Sequence, residues 1–255
     1  MAVADGHGGA RYSRSRAGSA IACQVALELG ASHLAAWSTG STVDLEPVRH
    51  FLQQLVPERI VSRWREDVQQ HWQDHPPDGD EPFTPLTYGT TLGLVLLTPH
   101  WWATTGLGDW DLVHIDADGQ AQLISHEEDV GGRSEATQSL CLSDAPSRFA
   151  SRTQIHRLQS GDPPFALLLS TDGVRKSCST DKDYCTLARH LVESTKHDSA
   201  PGQLEAHLDQ ISRQGSGDDV SVAITRWACP DDGHQLLGRP PNPSCCIEQP
   251  DLKDP

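Results

Sequence analysis

Asp5-Gly6-His7-Gly8-Gly9 places a carboxylate, an imidazole and three glycines directly after a short apolar run, Ala2-Val3-Ala4. The carboxylate is a hard oxygen ligand, and glycine lets backbone carbonyls approach an ion closely. The same string also reads as a Gly-rich turn after a strand. Two more acidic sites add weight to the cation reading. Phe165–Ser170 is a continuous apolar run, the pattern of a fully buried strand, and it passes through Thr171 into Asp172-Gly173. Gly215-Ser216-Gly217-Asp218-Asp219 leads into a β-rich run, Val220–Thr225. If these strands neighbour one another, Asp5, Asp172 and Asp218 converge at one edge of a sheet. Converging carboxylates repel unless a cation sits between them, and an all-oxygen set favours Mg2+ or Mn2+ over Zn2+.

The elements that must carry these residues follow from periodicity. Arg14 to Ala36 reads as a helix with Ile21, Val25, Ala26 and Leu29 on one face and Gly30 as its C-terminal stop. Arg14 and Arg16 near its start suit either a phosphate or structural ion pairs. A second helix is expected from Leu45 to Trp72, with a break or kink at Pro57. Residues 74–86 are polar and Pro-rich and read as a loop. Thr90–Thr98 and Trp101–Gly106 read as one hairpin. Trp110–Ile115 and Ala121–Ser125 read as another, turning at Asp116-Ala117-Asp118-Gly119. That turn has the composition of a calcium loop but is too short for one. Residues 127–138 read as an acidic loop. Short strands are expected at Leu140–Leu142 and Ser151–Arg157, and helices at Asp183–Ser194 and Gly202–Gln214.

The chain has 255 residues and a formal net charge of −15, which argues against a nucleic-acid partner, since phosphate backbones need a basic face. The acidity fits a protein that gathers divalent cations, although most of these acids belong to solvated surface. Seven Cys without regular spacing, Cys245-Cys246 among them, point to the reduced cytoplasm rather than to zinc or a disulfide framework. No apolar run approaches the ~18 residues of a membrane span. The 13 His form no H-x-x-x-H or H-E-x-x-H pattern, so zinc-hydrolase chemistry has no support. Residues 1–228 form one expected domain. From Cys229 to Pro255 a Pro-, Gly- and Cys-rich segment without periodicity reads as a disordered tail.

Further strings occur in order between the acidic sites: Tyr88-Gly89-Thr90-Thr91 opening a strand, Gly106-Leu107-Gly108-Asp109-Trp110-Asp111, and Glu135-Ala136-Thr137-Gln138-Ser139-Leu140. With Ala4–Gly9, Thr171-Asp172-Gly173 and Asp218-Asp219-Val220-Ser221, the series resembles the metal-dependent type-2C Ser/Thr protein phosphatases, in a bacterial branch, over roughly residues 1–227. The resemblance implies an α+β fold, an α-β-β-α sandwich of two mainly antiparallel sheets flanked by helices with metals at one end. It implies hydrolysis of phosphoserine and phosphothreonine in a protein substrate by a metal-activated water, with two or three Mn2+ or Mg2+ ions. It implies that Asp5 bridges two metals, that the Gly6 carbonyl serves the second, that Asp172 and Asp218 hold the first, and that Asp109 is a third-metal ligand with Asp219 in reserve. His7 would protonate the leaving oxygen or, alternatively, orient a water or Asp5. The family carries strands and an acidic pair ahead of its glycine motif, so the chain reads as N-terminally truncated and lacking the usual first strands. Two other readings stay open: a catalytically weak phosphoprotein-binding relative, and an acidic interaction module whose Asp residues only form turns.

Overall fold

The computed structural model describes residues 1–37, 44–125, 138–195 and 201–229. In chain order these form β1 (Ala2–Val3), α1 (Ser15–Trp37), α2 (Leu45–His50), α3 (Val56–Asp74), β2 (Leu92–Leu97), β3 (Trp101–Leu107), β4 (Trp110–Ile115) and β5 (Ala121–Ser125). There follow α4 (Ala145–Arg148), β6 (Gln154–Arg157), β7 (Phe165–Thr171), α5 (Asp172–Lys176), α6 (Asp181–Ser194), α7 (Pro201–Gln214) and β8 (Val222–Trp227).

Two four-stranded sheets result, ordered β1-β2-β3-β6 and β5-β4-β7-β8, and each recorded strand pair within them is antiparallel. The central strands are apolar on both faces because both faces are covered. Leu92, Leu94 and Leu96 of β2 pack with α1 and α3, while Val95 packs between the sheets with Trp102, Trp110 and Leu169. In β7, Leu167 and Leu169 face the other sheet, and Ala166 and Leu168 face Tyr184, Ala188 and Leu191 of α6. The layers are therefore helix, sheet, sheet, helix, as the motif order implies.

Several helix details differ from expectation for physical reasons. Gly30 does not end α1. It is buried in mid-helix, where a Cβ would come within 3.0 Å of Leu96, so its smallness lets the helix lie on the sheet. The irregularity expected at Pro57 is a single wide turn, Phe51–Leu55, in which the Val56 N–H bonds the Phe51 carbonyl, five residues back. Proline lacks the N–H for the ordinary bond one turn back, and the ladder widens just ahead of it. Thr180 caps α6, accepting from the Asp183 N–H at 3.1 Å while its hydroxyl donates to the Asp183 carboxylate. Leu140–Leu142 is not a strand. The Leu140 N–H bonds Thr90 O and Leu142 N–H bonds Ser139 O, which closes a turn and starts no ladder. Asp116–Gly119 is a plain turn, the Asp116 Oδ1 accepting from the Asp118 and Gln120 N–H groups, with Gly119 at φ 76°. The expectations for 127–137, for Glu135-Ala136-Thr137 and for the tail from 230 onward lie outside the described residues. Trp227 and Cys229 are buried between the sheets.

The α1–α3 contact rests on Trp64, which is fully buried and donates from Nε1 to the Gly18 carbonyl at 2.9 Å. Trp64→Ala should cost about 3–5 kcal/mol of stability. Urea unfolding measures it, and a loss under about 1 kcal/mol would show that the helices do not depend on this ring.

Candidate metal centre

Asp5 follows a strand of only two residues, so its position depends on what grips its backbone. Thr90 and Thr91 do this. Thr91 N–H and Thr90 Oγ1 both donate to the Asp5 carbonyl, at 2.9 and 2.7 Å, and the Asp5 N–H donates to Thr91 Oγ1 at 3.0 Å. The Gly-Thr-Thr string is thus a clamp for the first acidic residue. The bridge between Gly6 and Thr90 uses Asp5 O, Thr91 N, His7 N and Gly89 O, which leaves the Gly6 carbonyl outside the ladder. A Cβ on Gly6 would sit 2.9 Å from the Ser15 carbonyl group, so only glycine passes under the start of α1.

Asp172 is where β7 ends and α5 begins. Asp218 lies in the connection from α7 to β8. A Cβ on Gly173 would meet the Asp219 carbonyl at 2.6 Å, so glycine admits the 218–219 segment to this place. Hydroxyls hold it there: Ser177 and Ser216 both donate to Gly173 O, and Ser212 donates to Asp218 O at 2.7 Å. The Ser221 N–H bonds Thr171 Oγ1 at 3.0 Å and fixes the start of β8 beside the end of β7.

The structure brings Asp5, Asp172 and Asp218 together, with one carboxylate oxygen from each within 4.8 Å of the others. They do not share one sheet edge. Asp5 follows a strand of the first sheet, whereas Asp172 and Asp218 flank neighbouring strands of the second, and the three meet because the sheets stack with these ends together. Asp109 is outside that trio but close enough to Asp5 and Asp172 to repel both. Its turn joins β3 of one sheet to β4 of the other through Gly106 and Gly108, at φ 148° and 83°.

Burial, and then the charges of Asp218, Asp172, Asp109 and Asp219, push the Asp5 carboxyl up to about 7. Burial, then Asp109, pushes Asp172 up to about 6, with Lys176 pulling the other way. Among the described residues neither buried Asp172 oxygen accepts from a hydroxyl or amide, and His7 Nε2 is buried without a hydrogen-bond partner. Burial and Arg11 hold the His7 imidazole below its usual value. A converging set of hard oxygens, in which Asp218 Oδ1 accepts only the Asp219 N–H among the described neutral donors and Asp5 and Asp172 have raised proton affinity, fits a divalent cation of the Mg2+ or Mn2+ type.

Three contributors escaped the sequence reading. Asp111 is buried within reach of the Asp172 charge, pushed up to about 7 by burial despite Arg175 and Arg152, with Arg175 3.7 Å away. Arg152 is buried over the Trp110 ring and donates to the Gly108 and Trp110 carbonyls, which fixes the turn carrying Asp109. No sequence signal could expose that contact, because its partners lie more than 40 residues away. Lys176 reaches Asp172 from one helical turn on, a spacing visible in the sequence. Arg14 takes the structural alternative, donating to Tyr88 OH at 3.2 Å and lying over the Trp72 ring.

With this geometry in view, a family model described as Protein phosphatase 2C matches residues 1–209. The chain belongs to the protein phosphatase 2C family. Among solved structures it is similar to PppA of Pseudomonas aeruginosa at 15% identity, covering 89% of this chain and 85% of that one with a TM-score of 0.51. It is also similar to a bacterial serine phosphatase at 14% identity, covering 88% and 84% with a TM-score of 0.50. These likenesses concern the fold. No curated protein matches the sequence. As a protein phosphatase 2C, the chain is a metal-dependent protein-serine/threonine phosphatase, a phosphoric monoester hydrolase that uses Mn2+ or Mg2+.

A carboxyl raised in the folded state contributes stability that is lost as pH climbs through its folded value, here about 6 for Asp172 and about 7 for Asp5. A cation that binds the ionised forms opposes this loss. The melting temperature of Mg2+-saturated protein minus that of EDTA-treated protein should therefore widen from about pH 5 to about pH 8. A constant or narrowing difference would place these carboxylates out of a cation's reach.

Proposed function

We propose that the phosphatase reaction of this chain is carried by Asp5, Asp172 and Asp218 as ligands of two divalent cations, with Asp5 shared between them. The observation that supports this most directly is the convergence of the three carboxylates within 4.8 Å at the common end of the two sheets. In this reading Asp172 and Asp218 hold the first cation and the Gly6 carbonyl serves the second. Asp109, anchored through Arg152, serves a third, and Asp219 stands in reserve. When bound, the cations supply Lewis-acid activation of the attacking water and neutralise charge that develops on the phosphoryl group. The protein's own task is to keep the carboxylates aimed at one place by fixing their backbones. Thr90 and Thr91 do this for Asp5, and the Ser177–Ser216 network does it for Asp218. His7, one residue beyond the Gly6 bridge, is the candidate proton donor to the leaving oxygen.

The substrate we assign is a protein phosphorylated on serine or threonine, in a pathway that includes a Ser/Thr kinase. The thiols Cys23, Cys141, Cys178, Cys185 and Cys229 are free, which suits the reducing cytoplasm we propose as its location. Among the described residues no helix is long and apolar enough to cross a membrane.

Hydrolysis of p-nitrophenyl phosphate should require Mn2+ or Mg2+ and stop in excess EDTA; full activity in EDTA would remove the metal reading. Asp172→Asn should lower kcat at least about a hundredfold, beyond the 10–100-fold of indirect metal-site changes. Unchanged turnover at saturating Mn2+ would show that Asp172 is no ligand. His7→Asn tests the proton. A nitrophenolate leaves without help, whereas a serine alkoxide does not. The variant should lose about 100-fold on a phosphoserine peptide and much less on the aryl ester. Equal losses on both would assign His7 an orienting role.

A further inference from the structure

Two basic residues in succession, Arg175 and Lys176, end α5, and they serve different carboxylates. Arg175 turns away from the trio, pairing with Asp181 at 2.8 Å and Asp111 at 3.7 Å. Lys176 turns into it. Its Nζ contacts Asp172 Oδ2 and lies 3.9 Å from Asp218 Oδ2. The two carboxylates come from segments more than 40 residues apart, so the ammonium bridges the connection ahead of β8 to the start of α5. A single helical turn separates Lys176 from Asp172, which fixes the direction of the side chain.

The contact is placed to be temporary. The Lys176 side chain is 56% exposed, while that of Asp172 is 10% exposed. The ammonium therefore arrives from solvent on a flexible four-carbon stem, and the carboxylate it touches stays in place. Asp172 needs such a counter-charge, since among the described residues no hydroxyl or amide reaches its oxygens and Asp109 repels it. A divalent cation held by the same two carboxylates would meet the ammonium as a like charge and compete with it for Asp172 Oδ2.

We propose that Lys176 is the built-in counter-ion of the Asp172–Asp218 pair and that a divalent cation must displace it to bind there. The lysine holds the carboxylates together in the metal-free protein and lowers the site's affinity for metal. Loading then depends on the free cation concentration. This inference rests on the ligand assignment above.

Isothermal titration of Mn2+ into the metal-free full chain, compared with Lys176→Gln, tests it. Loss of the competing charge should tighten the first binding step about fivefold. Lys176→Arg, which keeps the charge, should stay within about twofold of wild type. Lysine ε-methylene NMR gives an independent readout. The resonance absent from Lys176→Gln should shift in wild type as diamagnetic Mg2+ saturates the site. Equal or weaker Mn2+ binding by Lys176→Gln, or an unmoved Lys176 resonance at saturating Mg2+, would overturn the proposal. Asp172→Asn separates the two layers of inference. If wild type binds Mn2+ and Asp172→Asn does not, the ligand assignment stands whatever Lys176 does. If wild type takes up no Mn2+, both fall.

Discussion

Mutual repulsion among carboxylates is the constraint around which the end of this sandwich is built. Asp5, Asp172 and Asp218 are held within 4.8 Å, with Asp109 and Asp219 near enough to add to the strain. Ordinary packing would let them turn apart into water. Here their backbones are pinned first, by threonine hydroxyls around Asp5 and by serine hydroxyls around Asp218. Their side chains are left with few alternatives. Burial first, and the neighbouring carboxylates second, raise the proton affinity of Asp5 and Asp172, and Lys176 offsets part of this at Asp172.

Confinement of this kind needs a stiff frame. The two sheets supply it because each is sealed on both faces. Leucines of β2 lie under α1 and α3, leucines of β7 lie between the sheets and under α6, and the ring stack of Phe165 on Trp227 closes the far end of β7 against β8. Close-packed interiors transmit strain and do not absorb it. Glycines appear where backbones must cross at short range, as at Gly6 under α1 and Gly173 against Asp219. In each case a single methyl group would push a proposed ligand away from its partners.

The sequence made much of this legible because the relevant signals are local. An Asp at the end of an apolar run marks the mouth of a sheet, and the order of the glycine, threonine and acidic strings pointed to the family and hence to the layered fold. The boundaries of β4, β5 and α7 lay within a residue of their expected places, since each is closed by a turn residue or a clear change of period. Local signals also misled. Gly30 looks like a helix stop, but its smallness serves the contact with Leu96. Leu140–Leu142 has strand-like residues, but the Leu140 and Leu142 N–H groups go to Thr90 O and Ser139 O and among the described residues it joins no ladder.

What the sequence by itself determined was the kind of chemistry: oxygen ligands without a zinc or thiol pattern, placed at strand ends, in the order of a protein phosphatase 2C. Only the tertiary structure decided which charges share the site. Asp5 comes from one sheet and Asp172 and Asp218 from the other, and spacing along the chain carries no information on how two sheets stack. Arg152 grips the turn of Asp109 from more than 40 residues away, and Lys176 answers to Asp218 as well as to its helical neighbour Asp172. Electrostatic energy depends on distance through space and on burial, and neither exists until the two sheets close on each other.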